Sequence, residues 1–585
     1  MMLLRNRAGR SAISRQPVLP IGDANQQVVR YVRDVWRYEA DTQPTECGAP
    51  LVIRNTQVGP GKICGIHIAG IEGTGEGFAT PFYREDLMNI LSRCSAEKQI
   101  VVERELKLDP PQEQGQIPPE AVVLREGTLK IPVYQHSKTK ILPSLCHAKI
   151  QEPLTKPCQL RPDDEFDPRA YRLRRLGNVP HALPRDIAEI ARSAFEDEIS
   201  QVIADSSDKV LNSVKAVYTF EEAVCGIIQK PETSTKKMFF GDKDEFDLST
   251  PQAIELKERV DKILNKARAG ISLDHYFIDT LKDERKPMHK AHKTRLFSAG
   301  PLDYLIATKM YFNGPVALLQ YCRNWSHVSV GTNPYSQDWG EIVRTLHQKS
   351  ELMVAGDFEG FDASQHLILL RESGEIFISI SKRFLGASEE DILVMRVLLT
   401  SLLNSYHISG SDVYRWTHSL PSGHYLTAPI NSIFVNLAFC YVWMISQQDC
   451  SYMTARQFWI ECGIVAYGDD HVVSIPPHRI EKFNQLLLPE YFATIGLSYT
   501  LEDKDAIATE PFRKIEDISY LKRSFYKDEE GEWLAPLALP TILETPMWMH
   551  KNPDPRTQTV EGLEWALKEL SLHPHSVWGQ WSPVL

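Results

Sequence analysis

The stretch from Ile464 to Ile475 reads IVAYGDDHVVSI. Two short apolar runs rich in β-branched residues flank a Gly-Asp-Asp break, which predicts a β-hairpin with Asp469 and Asp470 at its tip. Adjacent carboxylates repel one another and resist desolvation unless a cation sits between them, so a divalent metal is their natural partner. Mg²⁺ suits them, because it takes hard carboxylate oxygens completed by water and substrate phosphates. An ordinary acidic hairpin turn is the competing reading, and a second acidic site bears on the choice. In Met353 to Ser364, MVAGDFEGFDAS, a short strand ends at Asp357 and a turn places Asp362 beyond it. Asp357 is thus able to meet Asp469 across neighbouring strands. Two metals about 3.5–4 Å apart, clamped by carboxylates from separate strands, serve in-line attack of a hydroxyl on a phosphoryl group. Asp362, set back from them, could hydrogen-bond a ribose hydroxyl.

Two further stretches carry polar chemistry. Leu281 to Leu296 gathers six Lys or Arg in a chain of net charge −11, so it is a local anion site rather than a general surface property. Triphosphates are the partner it suits, and the spacing of bases beyond Pro287 suggests an extended arm lining a channel. A solvated charge run is the alternative. Ser422-Gly423 suits a mobile loop entering a helix on which Thr427 and Asn431 sit at i and i+4 of one face. Helix capping plus a buried amide would account for the same pair.

The order Asp-x4-Asp, Ser-Gly-x3-Thr-x3-Asn, Gly-Asp-Asp resembles the palm motifs of the RNA-dependent RNA polymerases of positive-strand RNA viruses, in the picornavirus-like order, from about residue 135 to the C-terminus. The resemblance implies a mixed α/β right-hand polymerase with fingers, palm and thumb. It makes Asp357, Asp469 and Asp470 the ligands of two Mg²⁺ ions, with Mn²⁺ as an alternative. It gives Asp362, Ser422, Gly423, Thr427 and Asn431 to the nucleotide, and Lys282, Lys290, Lys293 and Arg295 to the loop lining the nucleotide channel. Lys504 becomes the proton donor to the leaving pyrophosphate, and Lys522 and Arg523 the residues near the primer phosphates. Glu232 to Lys237 falls where relatives carry a Thr-Ser-x-Gly-x-Pro loop, but lacks its Gly and Pro.

Upstream, Thr45-Glu46-Cys47-Gly48 and Gly65-Ile66-His67-Ile68-Ala69-Gly70 resemble the nucleophile turn and the following strand in the C-terminal barrel of picornavirus-type chymotrypsin-like cysteine proteases. A Cys in a Gly-bearing turn can gather backbone N–H groups as an oxyanion hole. By the resemblance, Cys47 is the nucleophile and His67 lines the pocket that reads glutamine. The triad His and acid of that family lie further upstream than these residues allow, which predicts an inactive partial β-barrel, a protease remnant.

The elements that must position these groups follow from composition. At 585 residues the chain exceeds one core, and 43% hydrophobic with 24% charged residues is the balance of a folded protein. A pI near 5.9 excludes a surface coated in positive charge for nucleic acid. The 10 Cys lack zinc spacing or disulfide density, which fits a reducing compartment. The longest nearly apolar run, Ser432 to Ile445, is too short to span a bilayer and reads as a buried helix. Pro110 to Pro119 has linker chemistry, and Gln114-Gly115 within it reads as an exposed junction open to a protease. The expected organisation is a protease barrel at 1–95, a linker at 96–134, a fingers region at 135–300, a palm with inserted fingers at 301–525 and a thumb at 526–585.

The partners implied are an RNA template and primer, ribonucleoside triphosphates and a protein primer as a further candidate. With no transmembrane segment, membrane association would come only through other replication proteins, in the host-cell cytoplasm at viral replication complexes. A reverse transcriptase shares the palm carboxylates but calls for a bulky group in place of Asp362. A non-catalytic RNA-binding remnant of a viral polyprotein is the remaining alternative, and a protease alone lacks its triad.

Overall fold

The β-branched runs around Gly-Asp-Asp form two adjacent strands of a four-stranded antiparallel sheet, ordered Gly463–Tyr467, Asp470–Ser474, Met353–Phe358, Tyr499–Thr500. Ile464, Val465, Val472 and Val473 are fully buried, since both faces are covered. One cover is the helix Thr427–Gln447, which packs against the Gly463–Tyr467 strand and against helices Arg185–Ala204 and Leu367–Phe384. That helix is long and apolar enough to cross a membrane, yet 89% of its most apolar stretch is buried inside the protein. Its all-round hydrophobicity therefore matches a core helix.

This computed structural model describes residues 14–22, 28–39, 50–53, 62–71, 76–81 and 100–585, the last apart from 104, 112–114, 116, 119–120, 122, 136, 177–182, 207, 229–247, 417 and 504–506. Cys47, Gln114, the Glu232–Lys237 loop and Lys504 lie outside the described residues, as does the side chain of Asp362.

The chain divides into two compact units, Met1–Gln99 and Ile100–Leu585. The first is a five-stranded antiparallel sheet ordered Ser14–Gly22, Val28–Glu39, Glu76–Pro81, Lys62–Ile71, Pro50–Ile53. Among the described residues no ladder joins its first and last strands, so it is an open sheet rather than a closed barrel. Gly77 is required there, because a Cβ would stand 2.6 Å from the Tyr38 ring that closes over it.

The second unit adds a five-stranded sheet ordered Leu296–Ala299, Tyr276–Leu281, Tyr406–Ser409, Asp412–Arg415, Leu124–Thr128. Asp279 is fully buried at its centre. The carboxylate accepts hydrogen bonds from Ser298 Oγ at 2.5 Å, from His407 Nδ1 at 3.0 Å and from the Tyr414 hydroxyl. Arg169 Nη1 donates to the Asp279 carbonyl and to Ser409 Oγ, each at 2.9 Å. A buried charge is tolerated when its acceptors are filled in this way.

The stretch expected to be a linker is instead built into this unit. Val101–Glu103 pairs in parallel with Ile271–Leu273, and Leu124–Thr128 forms the edge of the five-stranded sheet. Ile117 is 3% exposed, packed with Leu173, Leu176, Tyr414 and Trp416. Its N–H donates to Asp412 Oδ2 at 3.3 Å, while Gly115 lies so close that a Cβ would stand 2.5 Å from that oxygen. Proline-rich chain lacks hydrogen bonds of its own, and here a neighbouring strand and a carboxylate supply them. Gly115 is thus half-buried against Asp412, while Gln114 lies outside the described residues.

The same logic joins the segment after residue 140 to the C-terminal region. Trp548–His550 pairs with Ile141–Pro143. Glu544, 4% exposed, accepts from Leu154 N and Thr155 N at 3.0 Å each, from Thr155 Oγ1 at 2.6 Å and from Trp548 Nε1 at 2.9 Å. Burial works against its charge, but those donors hold the carboxyl below its ordinary range. Glu544→Ala strands two backbone N–H groups and should cost about 3 kcal/mol, the scale of breaking a buried charged network. Urea unfolding of the two proteins measures this, and an unchanged midpoint would show that the network is not a structural tie.

Candidate active site

The catalytic hairpin turns on two residues. Tyr467 pairs with Asp470, leaving Gly468 and Asp469 as the loop, and Gly468 has φ +65°. A left-handed first loop residue is the requirement of a type II′ turn, which Gly meets without a Cβ penalty. The Gly468 N–H donates to Ser432 Oγ at 2.8 Å, tying the turn to the core helix. His471 secures the other side. It is 1% exposed, and burial pushes its imidazole down to about 4. The neutral ring donates from Nδ1 to the Asp469 carbonyl at 2.7 Å, so Nε2 accepts from the Tyr499 hydroxyl at 3.0 Å.

The register Met353↔Ser474 to Gly356↔His471, extended by one residue, sets Asp357 beside Asp470. Directly opposed residues of an antiparallel pair share a face. Asp357 and Asp470 therefore stand side by side at the ends of the two inner strands, with Asp469 in the adjoining turn. Among the described residues no three His, Cys, Asp or Glu side chains form a ready-made metal cage.

Asp362 lies in a single 3-10 turn, Phe361–Ala363, entered through Gly360 at φ +65°. The polar pair that the structure describes is Asn431 with Gln365, whose Nε2 donates to Asn431 Oδ1 at 2.7 Å. Gln365 escaped the sequence reading, although a Gln among apolar and small residues is a visible signal. Thr427 Oγ1 donates to the carbonyls of Pro421 at 2.7 Å and His424 at 2.9 Å, so it clasps the loop preceding its helix. That loop is pinned rather than free. Ser422 Oγ accepts from Ser298 N at 3.4 Å, Gly423 bridges Ala299, and a Cβ on Gly423 would stand 2.1 Å from the Ser298 carbonyl.

The basic stretch is not one extended arm. Arg285–Pro287 pairs with Thr155–Pro157, a 3-10 turn spans Met288–Lys290, and Leu296–Ala299 rejoins the sheet. The reason is Glu284, 12% exposed at its side chain, which draws in Arg295, Lys286 and Lys282. Burial opposes that carboxylate's charge, yet Arg295 and the two lysines hold it below the ordinary value. Arg295 lines a cleft enclosing about 580 Å³ of space open to solvent, with Ser422, Ser298, Gly360 and Ala363. Lys282, Lys290 and Lys293 do not line it. Arg172 and Arg175 do, from the Arg-rich helix Pro168–Arg175, and Arg175 pairs with Glu359 at 2.9 Å. The basic cluster of that helix was legible in the sequence but carried no motif.

Lys522 and Arg523 part company. Leu521 at φ +53° and Lys522 at φ +62° make the two-residue turn between Ser519–Tyr520 and Arg523–Ser524, leaving Lys522 exposed. Arg523 is committed elsewhere, bidentate to Glu569 at 2.8 Å on both nitrogens and to the Ala535 carbonyl at 2.8 Å. It holds the C-terminal helix Pro555–Leu570 rather than standing open to a phosphate. In the first unit, His67 is 2% exposed and its Nδ1 lies 2.5 Å from the Tyr38 hydroxyl, a partner the motif did not reveal.

Carboxylates gathered at the strand ends of an antiparallel sheet, with an arginine-lined cleft in the same unit, fit a right-hand polymerase of mixed α/β type. A family model described as viral RNA-dependent RNA polymerase matches residues 231–575. The chain is 33% identical over 600 residues to the replicase polyprotein of Acute bee paralysis virus (strain Rothamsted), covering 95% of this chain and 31% of that protein. It is 30% identical over 589 residues to the replicase polyprotein of Cricket paralysis virus, covering 93% and 33%. It thus spans about a third of the length of these curated relatives. Among solved structures, the Sicinivirus 3Dpol RNA-dependent RNA polymerase matches with a TM-score of 0.60 at 17% identity, over 79% of this chain and 93% of that one. The chain belongs to the viral RNA-dependent RNA polymerases, of the kind carried in picornavirus-like replicase polyproteins.

Two buried histidines beneath the Ser422-Gly423 loop give the site a pH signature. Burial pushes His275 down to about 4, against the pull of Asp303 and Asp274, and pushes His424 down to about 3, with His275 adding to it. The unfolded chain takes up these protons near 6.5, so it binds more protons than the folded chain below that pH, and stability falls as pH drops from about 6.5 towards 4. His424→Asn should make the fall shallower across that window, read as the pH dependence of the unfolding midpoint. Equal slopes in the two proteins would exclude His424 as its source.

Proposed function

We propose that the chain copies an RNA template by attack of a primer 3′-hydroxyl on the α-phosphate of an incoming ribonucleotide, releasing pyrophosphate. The observation that carries the reading is the strand register that sets Asp357 beside Asp470, with Asp469 in the adjoining turn. These three would hold two Mg²⁺ ions, with Mn²⁺ as the alternative, and when bound such ions neutralise phosphoryl charge and lower the barrier to hydroxyl attack. The chain's own residues position the reactants. Arg295, with Arg172 and Arg175 beside it, supplies positive charge to the triphosphate in the shared cleft while its fork is held by Glu284. Ser422 and Gly423, pinned to the strand at Ser298, shape the floor under the nucleotide, and Thr427 holds that loop closed. Asp362 and Asn431 read the ribose, Lys504 protonates the leaving pyrophosphate, and Lys522 at the tip of its turn meets the primer phosphate. Arg523 supports that turn through Glu569.

The partners are an RNA template and primer, ribonucleoside triphosphates and, for initiation, a protein primer. The setting is the host-cell cytoplasm at viral replication complexes, with other replication proteins supplying any contact with membrane. The sheet bearing His67 is read as the glutamine-reading part of a cysteine-protease fold, in which Tyr38 orients the imidazole and Cys47 is the nucleophile.

Asp469→Asn removes one charge from the metal-binding edge at constant volume. Nucleotide addition on a primed polyribonucleotide template with Mg²⁺ should fall by several orders of magnitude, roughly 10³-fold or more, because little else neutralises the phosphoryl charge. A variant that kept a tenth of wild-type incorporation would remove Asp469 from the metal site.

A further inference from the structure

We propose that Gln365 is a positioning residue for sugar selection, setting the Asn431 amide so that its nitrogen faces the 2′-hydroxyl of the incoming nucleotide. The inference rests on the reading of Asn431 as a ribose contact and says what makes that contact directional. Gln365 is fully buried and Asn431 is 7% exposed. Gln365 Nε2 donates to Asn431 Oδ1 at 2.7 Å, so the acceptor end of the Asn431 amide is spent on Gln365 and its two N–H donors remain for a ligand. The 2′-hydroxyl oxygen is the acceptor those donors match, and a deoxyribose leaves them with none.

Packing does not account for the glutamine. Its Oε1 is buried without a hydrogen-bond partner among the described residues, and such an orphan is destabilising. A leucine of similar length would fill the same space without that cost. The backbone around Gln365 also reaches the loop that floors the nucleotide. Ser419 N donates to the Gln365 carbonyl at 3.2 Å, and His418 Nε2 to the Ala363 carbonyl at 3.2 Å. Gln365 thus links the turn carrying Asp362, the approach to Ser422 and the helix carrying Asn431. It stays behind the reacting atoms, so its effect passes through Asn431.

The test is primer extension by the full chain with a ribonucleotide and its 2′-deoxy counterpart, comparing kcat/KM for the two sugars in wild type, Gln365→Leu, Gln365→Glu, Asn431→Ala and the Gln365→Leu/Asn431→Ala double variant. Gln365→Leu removes the donor, and Gln365→Glu keeps polarity and shape but cannot donate as a carboxylate. Each should lower the ribose-to-deoxyribose ratio about tenfold, on the scale of one lost directional hydrogen bond, with deoxyribonucleotide incorporation nearly unchanged. The double variant should show a ratio no lower than Asn431→Ala alone, because both act through one amide. An equal loss for both sugars, or an unchanged ratio in the two Gln365 variants while Asn431→Ala lowers it, overturns the role of Gln365. An unchanged ratio in Asn431→Ala overturns the ribose reading itself, and the inference with it.

Discussion

Three like charges held at neighbouring strand ends are the constraint from which most of this structure follows. Asp357, Asp469 and Asp470 repel one another, so the backbone beneath them has to be over-determined. Fully buried Ile464, Val465, Val472 and Val473 supply the packing, and the Thr427–Gln447 helix lies directly behind the hairpin. The Gly468 N–H to Ser432 bond and the His471 bridge from the Asp469 carbonyl to Tyr499 fix the turn from two sides. Burial keeps that imidazole neutral, which preserves a donor and an acceptor on the same ring.

A second layer of constraint is polar and buried. Asp279 gathers Ser298, His407 and Tyr414 under the five-stranded sheet, and Ser298 in turn meets Ser422 through its backbone N–H. The strand next to Arg295 and the loop before Thr427 therefore share one hydrogen-bonded framework. Such a network rigidifies when every member is satisfied, and the Asp279 carboxylate has three donors. Arg295, Ser422 and Gly423 are in this way held by a strand and a pinned loop rather than by a mobile one.

Buried carboxylates tie down the C-terminal region. Glu544 binds backbone N–H groups more than 380 residues away in sequence, and Arg523 locks onto Glu569 in the Pro555–Leu570 helix. These are buried pairs with filled hydrogen-bonding capacity, the kind whose disruption is costly. Arg523 shows how one side chain can read as a phosphate ligand by motif and serve as a structural tie by geometry.

The sequence by itself determined the elements that carry the Gly-Asp-Asp hairpin and Asp357. Period-two and β-branched runs around Gly-Asp-Asp, the strand ending at Asp357 and the apolar run through Ser432 to Ile445 are local signals, and each formed the element its pattern predicts. Tertiary structure alone decided the partnerships. Which residue meets Asn431 and whether Arg523 faces solvent or Glu569 depend on contacts between segments distant in the chain. The same holds for Pro110 to Pro119, whose composition is that of a linker but whose neighbours, Asp412 and the Leu124–Thr128 strand, bury part of it. Composition reports what a segment can do alone, whereas burial and hydrogen bonding depend on what the rest of the chain brings beside it.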